Sequence, residues 1–383
     1  MYKVMAVFGT RPEAIKMAPL IKELEKNKGI DCRVVVTAQH REMLDQVLSL
    51  FGITPQYDLD IMRRGQDLFD ITGRALDGLK GVLAAEKPDL VLVHGDTTTT
   101  FAASLAAFYL QIPVGHVEAG LRTRHKYSPF PEEMNRRLTG ALADLHFAPT
   151  QRARANLLAE GVPEEAVFVT GNTVIDALYA TVVPDYRFSD PVLSGIDFDG
   201  CRVLLVTTHR RENLGEPMRE IYRALRDVLE SYPDVRVVFP VHKNPAVRRV
   251  VEEELGGLFG VYLTEPLEYE PFANLIGKCY LVLSDSGGLQ EEAPSLGVPV
   301  LVLRDTTERP EAVEAGTVKL VGTSRSKVAS AARSLLDDPA LYQKMAGAVN
   351  PYGDGKASQR IVQAILYYFG AVKERPADFS PQT

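Results

Sequence analysis

Cysteine is scarce: the 383 residues carry three, Cys32, Cys201 and Cys279. They are odd in number, far apart, and set in or beside apolar runs, which argues against a disulfide framework or a zinc cluster and predicts reduced thiols in a reducing compartment. Long hydrophobic runs are missing as well. The most apolar stretch, 101–114, is broken by Ser104, Gln111 and Pro113, short of the ~18 consecutive apolar residues that a membrane helix needs. The first apolar run, Tyr2 to Phe8, passes straight into Gly9-Thr10-Arg11-Pro12-Glu13, where a signal peptide would have a longer core and a small-residue cleavage site. A cytoplasmic location with no membrane partner is therefore expected. No G-x-G-x-x-G follows the first strand and no G-x-x-x-x-G-K-[ST] occurs, so hydride transfer with NAD and ATP chemistry lose their main support. Nor does any His, Cys and carboxylate spacing suggest a metal site. Positive charge is the minority sign, 43 Lys and Arg against 50 Asp and Glu, and the resulting net charge of −7 sets nucleic acid aside as a partner.

What is present is an ordinary globular composition, 45% hydrophobic and 24% charged, enough apolar surface to bury a sizeable core. At roughly 150 residues per domain the length suggests two. Apolar runs of strand length alternate with segments of helical period, and the runs are apolar throughout, the signature of parallel strands buried on both faces. The first series is Tyr2–Phe8, Cys32–Thr37, Leu90–His94, Ile112–Val117, Leu145–Ala148 and Ala166–Thr170. The second is Arg202–Thr207, Val235–Val241, Gly260–Thr264, Tyr280–Ser284, Val298–Leu303 and Thr317–Leu320. Two βα series predict two Rossmann-like doubly wound domains with a cleft between them. The expected boundaries are 1–183, rejoined by a C-terminal helix over 357–370, and 184–356. The Pro-, Gly- and Asp-rich stretch 183–200 marks the crossing point.

Chemistry-bearing residues fall at the ends of these strands. Thr10 and Glu13 form a T-x-x-E capping box with Pro12 in the first turn, so a helix should begin there, bent at Pro19. Arg11 and Lys16 add two cations suited to a diphosphate, or simply solvated charges. Asp96, in His94-Gly95-Asp96-Thr97, and Glu118, after Ile112–Val117, fall at the C-terminal edge where open α/β sheets bind ligands. Glu132 follows the stiff Ser128-Pro129-Phe130-Pro131 loop. Taken singly, these three are as readily a cap, a loop ion pair and a helix-start charge; together they form an acid/base cluster, since crowded carboxylates push each other's pKa values apart. His209, just past Arg202–Thr207, suits a phosphate hydrogen bond or general acid work, or a structural role. In Asp285-Ser286-Gly287-Gly288-Leu289 the serine and glycines open a helix with bare N–H groups facing a phosphate, and Glu292 one and a half turns on suits ribose hydroxyls.

The motifs G-T-R-P-E-A-I-K at 9–16, T-A-Q-H-R at 37–41, H-G-D-T-T-T at 94–99, H-V-E-A-G-L-R-T at 116–123, P-F-P-E-E-M-N-R at 129–136, T-H-R-R-E-N at 208–213 and D-S-G-G-L-Q-E-E-A-P-S-L-G at 285–297 together resemble the non-hydrolysing UDP-N-acetylglucosamine 2-epimerases, in order and over nearly the whole chain. That resemblance implies a GT-B-like pair of domains and a homodimer. The implied reaction interconverts UDP-N-acetylglucosamine and UDP-N-acetylmannosamine in support of cell-surface polysaccharide synthesis, with no cofactor and no metal. Carried over by motif, Asp96, Glu118, Glu132 and His209 are the implied catalytic residues, and Arg11, Lys16, Phe272, Ser286, Gly287, Gly288, Glu292 and Arg309 the implied substrate contacts. Some bacterial members bind a second, activating UDP-N-acetylglucosamine through a Q-x-x-Q pattern. Here the pattern reads Gln39-His40-Arg41-Glu42, a charge in place of the second amide, and Gln39, His40, Gln66, Arg210 and His242 are the candidates for that site. The alternatives are a hydrolysing 2-epimerase, a GT-B glycosyltransferase and a catalytically silent nucleotide-sugar sensor.

Overall fold

Valine, leucine and isoleucine fill most strand positions, with charged residues such as Asp31, Arg33, Arg236 and Lys319 among them, and every strand pairing they make is parallel. The structure, a computed structural model, describes residues 1–39 and 41–381, apart from the side chains of Glu42 and Arg211. Contacts divide the chain into two compact units, 1–180 with 352–380, and 181–351 with 381.

The first unit is built on seven strands: β1 (Tyr2–Phe8), β2 (Ile30–Val36), β3 (Tyr57–Asp58), β4 (Leu90–His94), β5 (Val114–Val117), β6 (Leu145–Ala148) and β7 (Val167–Val169). Their order is β3-β2-β1-β4-β5-β6-β7, so the winding direction reverses between β1 and β4, and the C-terminal ends of those strands are the natural ligand edge. Val4 to Phe8 and Leu90 to Val93 are wholly buried, which explains their unbroken apolar sequence. β3, only two residues long, is too short to register as a pattern. β5 starts two residues later than its apolar run because Pro113 has no amide to donate; its carbonyl still accepts from Val91 N (2.9 Å).

The capping box at Thr10 and Glu13 forms, and the helix Arg11–Lys26 runs on through Pro19. Chain 352–380 completes this unit. Asp176 accepts the first two amides of the helix Ala357–Tyr368, Ala357 N at 3.1 Å and Ser358 N at 2.7 Å, and Phe369 stacks on Tyr2 at 4.2 Å.

The second unit holds β8 (Arg202–Thr207), β9 (Val235–Pro240), β10 (Val261–Thr264), β11 (Leu281–Ser284), β12 (Val300–Val302) and β13 (Val318–Leu320), in the order β10-β9-β8-β11-β12-β13. The reversal here lies between β8 and β11, whose ends are tied by Thr207 Oγ1 and Ser284 Oγ at 2.6 Å. Tyr222 and Phe239 pack edge to face within a core of Leu204, Val206, Val237 and Leu283. Both units are thus doubly wound parallel α/β sheets. All three cysteines are free thiols, and among the described residues no helix is long and apolar enough to cross a membrane.

Candidate functional site

In the first unit the polar groups at the switch point are organised by a carboxylate that motif reading treats only as a cap. Glu13 is 2% exposed. It accepts Gly9 N (3.0 Å), Thr10 N (2.8 Å) and Thr10 Oγ1 (2.8 Å) on one oxygen, and Thr97 Oγ1 (2.7 Å) and Thr100 Oγ1 (3.0 Å) on the other. It therefore joins the loop after β1 to the loop after β4. Thr97 in turn caps the helix Thr98–Tyr109 by accepting Thr100 N at 3.1 Å.

Asp96 stands between Gly95, whose φ is +68°, and this cap. Its Oδ2 lies 2.6 Å from the Arg136 guanidinium, and its carbonyl accepts Asn135 Nδ2 at 2.9 Å. Burial raises the Asp96 carboxyl above its ordinary value and the neighbouring Glu118 adds to this, against the pull of Arg136 and Lys16. A carboxyl held up in this way can carry a proton where an ordinary aspartate would not.

Glu118 directly follows β5 with φ +62°, a left-handed backbone that costs a side-chain-bearing residue energy and is uncommon outside glycine. Its Oε1 pairs with Lys16 Nζ and accepts Asn172 Nδ2 at 2.9 Å; its Oε2 is 3.9 Å from His94 Nε2. Burial pushes the His94 imidazole down to about 4, so it stays neutral beside Glu118. Lys16, expected at a diphosphate, is thus placed against the carboxylate, while Arg11 occupies the first position of the same helix.

Glu132 opens the helix Glu132–Leu142, and its Oε2 is buried with no hydrogen-bond partner. Arg136, four residues on and so on the same helix face, is the residue that grips Asp96, which sets this first turn beside the Asp96 loop. The neighbouring Glu133 has the opposite character. It is 1% exposed and accepts Thr123 N (3.0 Å), Arg124 N (3.1 Å) and Arg136 Nη1 (3.3 Å). Burial alone would raise it, but those donors take it below the usual carboxylate range. Glu133 is structural, Glu132 keeps one buried oxygen without a partner, and only the fold tells them apart.

In the second unit the residues gather around Asp285, which motif reading does not single out. Asp285 is fully buried. Its Oδ2 accepts His209 N (3.0 Å), Arg210 N (3.0 Å) and Asn213 Nδ2 (3.1 Å), and its Oδ1 faces His209 Nδ1 at 3.0 Å. Burial alone would raise its pKa; the bonds from His209 and the two amides bring it below the ordinary value. The His209 side chain is 41% exposed and lies over the His242 ring, centroids 5.9 Å apart.

Ser286, Gly287 and Gly288 lead into the helix Leu289–Ser295 as expected. A Cβ at Gly287 would meet Glu308 Oε1 at 2.9 Å, and one at Gly288 would meet Glu292 Oε2 at 3.4 Å. Glu308 is held by Arg210 Nη2 (2.9 Å) and Arg304 Nη1 (2.7 Å), and Arg309 pairs with Glu291. Phe272 is half-buried on the helix Tyr269–Lys278. Of the candidates for a second ligand, Gln39 accepts Thr99 Oγ1 (3.2 Å) and Gln66 accepts Arg63 N (3.0 Å) in the first unit, Arg210 and His242 belong to the second, and His40 lies outside the described residues.

The model of a family described as UDP-N-acetylglucosamine 2-epimerase matches residues 22–366. The Bacillus subtilis UDP-N-acetylglucosamine 2-epimerase is 59% identical over 378 residues, covering 99% of this chain and 98% of that protein. Among solved structures, UDP-GlcNAc 2-epimerase from Neisseria meningitidis bound to UDP-GlcNAc has a TM-score of 0.86 at 54% identity, covering 95% of this chain and 99% of the other. MnaA from S. aureus in its structure with UDP has a TM-score of 0.90 at 53% identity, covering 99% and 100%.

Proposed function

The chain belongs to the UDP-N-acetylglucosamine 2-epimerase family, and from that premise we propose that it reversibly inverts C2 of UDP-N-acetylglucosamine to give UDP-N-acetylmannosamine without hydrolysis. The hydrogen on C2 is not next to a carbonyl, so simple deprotonation meets a prohibitive barrier. Departure of UDP with the electron pair of the C1–O bond gives C1 oxocarbenium character, which acidifies that hydrogen. A carboxylate takes the proton and 2-acetamidoglucal forms. UDP oxygen then re-adds at C1 while a second acid protonates C2 on the opposite face.

The observation that carries this reading is the pair of carboxylates at adjacent strand ends, each with its own cation: Asp96 with Arg136 and Glu118 with Lys16. Groups so differently surrounded can hold different protonation states at one pH, which a two-face proton transfer requires. Glu132, with its buried, donor-free oxygen, is the third member. In the second unit Ser286, Gly287 and Gly288 face the diphosphate, Glu292 the ribose and Phe272 the uracil. Arg309 serves the phosphates, and His209 meets the charge that develops on departing UDP; Arg11 is a candidate phosphate contact in the first unit. Gln39, Gln66, Arg210 and His242 are the candidate contacts for a second, activating UDP-N-acetylglucosamine. The resemblance further supports a cytoplasmic homodimer feeding cell-surface polysaccharide synthesis.

The test is turnover of UDP-N-acetylglucosamine in heavy water with chelator present and no NAD. The expected product is UDP-N-acetylmannosamine carrying deuterium at C2. Unlabelled epimer, or free UDP in step with substrate loss, refutes the mechanism; the latter is the outcome of a hydrolysing enzyme. Asp96→Asn, Glu118→Gln and Glu132→Gln should each slow turnover by about 10²-fold or more with an unchanged circular dichroism spectrum, and near-normal rates in all three would refute the site.

A further inference from the structure

We propose that Asp285 is the positioning residue of His209: it accepts the imidazole's Nδ1–H, fixes the tautomer, and turns Nε2 outward toward the leaving diphosphate. The inference rests on the reading that His209 faces that group, and it adds a residue to which no role has been given. Asp285 is 0% exposed and sits at the switch point between β8 and β11, the ligand edge of this sheet.

Its two oxygens are used differently. Oδ2 is claimed by three donors, His209 N, Arg210 N and Asn213 Nδ2, at 3.0, 3.0 and 3.1 Å. Oδ1 is also reached by His209 N, at 3.2 Å, and lies 3.0 Å from Nδ1. A carboxylate can only accept, so the ring nitrogen beside it must carry the hydrogen. Nε2, across the ring from Nδ1, is then the nitrogen left for a ligand, on a side chain that is 41% exposed. The stacked His242 is itself fixed, its Nδ1 accepting Asn244 N at 3.1 Å, so it backs the His209 ring face and leaves the His209 Nδ1–H to Asp285. The lowered pKa of Asp285 keeps this acceptor ionised, and an ionised partner stabilises the imidazolium that hydrogen-bonds a departing anion.

The asymmetry of the two oxygens makes Asp285→Asn informative. Three N–H donors at the Oδ2 position orient the amide with its oxygen there, which places the NH2 against His209 Nδ1. That amide donates, so Nδ1 must become the acceptor and the hydrogen must move to Nε2. ¹⁵N NMR of histidine-labelled protein, with His209 assigned by loss of its signals in His209→Asn, reads this without substrate. Wild type should show neutral His209 protonated on Nδ1, and Asp285→Asn should show it protonated on Nε2. Turnover in Asp285→Asn should fall about 10²-fold or more with KM changed less than about threefold. In a His209→Asn background the same substitution should cost less than about threefold further, because its route to the chemistry is gone.

An Nε2-protonated wild type overturns the proposal, and does so even if Asp285→Asn fails to fold. A full additional loss in the His209→Asn background also overturns it, since Asp285 would then act only by holding the loop. If the NMR result holds while UDP-N-acetylglucosamine is not turned over at all, the dyad stands and the epimerase reading falls, so the two failures are distinguishable.

Discussion

Replacing Glu13 by alanine removes a side chain that ties the β1 and β4 loops together, and its cost can be worked out donor by donor. Five donors lose their acceptor. Three are hydroxyls that can turn: Thr100 Oγ1 already reaches the His94 carbonyl at 2.6 Å, and Thr97 and Thr100 are 3.1 Å apart. The amides of Gly9 and Thr10 cannot turn. A buried donor left unpaired costs about 1–3 kcal/mol, so those two give about 2–6 kcal/mol. Burial raises the Glu13 pKa despite its bonds, a sign that the charge is costly to hold there, which trims the loss to about 3 kcal/mol. Glu13→Gln behaves differently. Its oxygen can keep both amides while its NH2 meets the two threonine hydroxyls, which accept as well as donate, for a loss of about 1 kcal/mol. The chain has no tryptophan, so urea unfolding is followed by circular dichroism, with hydrogen exchange of the peptide over residues 2–20 reporting the first unit. Equal losses for the two variants, or a loss below about 1 kcal/mol for alanine, would refute the claim that two backbone amides depend on this carboxylate.

Gly120 has φ +89°, and a Cβ there would lie 2.3 Å from the Ala153 carbonyl oxygen, a backbone atom that cannot step aside. Gly120→Ala should therefore cost about 3 kcal/mol or more and lower Tm by about 5–10 °C; a melting curve within about 1 °C of wild type contradicts this. Burial pushes the His116 imidazole down to about 3, against about 6.5 in the unfolded chain. Stability tied to neutral His116 is thus present above about pH 6.5 and is lost as pH falls, because only the unfolded chain takes the proton; between pH 7.5 and 5.0 the loss is about 2 kcal/mol. His116→Gln, whose amide can still donate to the Gly95 carbonyl now 2.7 Å from Nε2, should show that much less acid destabilisation in paired urea titrations, and equal slopes would refute it.

The sheets were legible because strands buried on both faces leave an unbroken apolar run: β1, β4, β6 and β8 lie where the runs predict. Asp96 and Glu118 were legible as strand-end carboxylates for the same reason. Their partners were not. Lys16 meets Glu118 across 102 residues and Asn172 meets the same carboxylate across 54, Arg136 meets Asp96 across 40 residues of sequence, and nothing local in an asparagine or arginine announces such a contact. Glu132 and Glu133 are adjacent and chemically identical, and only the turn of the helix makes one an orphan and the other the acceptor of two loop amides.

Glu13 and Asp285 show why an inner layer of carboxylates goes unread. Each is buried behind a switch point and takes the backbone amides of the strand-to-helix turn in front of it, Gly9 and Thr10 in one unit and His209 and Arg210 in the other. A buried carboxylate is tolerable only when its lone pairs are filled, so the same bonds that make it affordable fix the loop it serves. Sequence reasoning finds the outer group, because Asp96 or His209 is polar at a site edge, takes Glu13 for a helix cap and passes over Asp285. The left-handed Glu118 is the complementary case. Its backbone works against the local preference of a glutamate, and the partners that hold it, Lys16 and Asn172, lie far off in sequence, where no local pattern announces them.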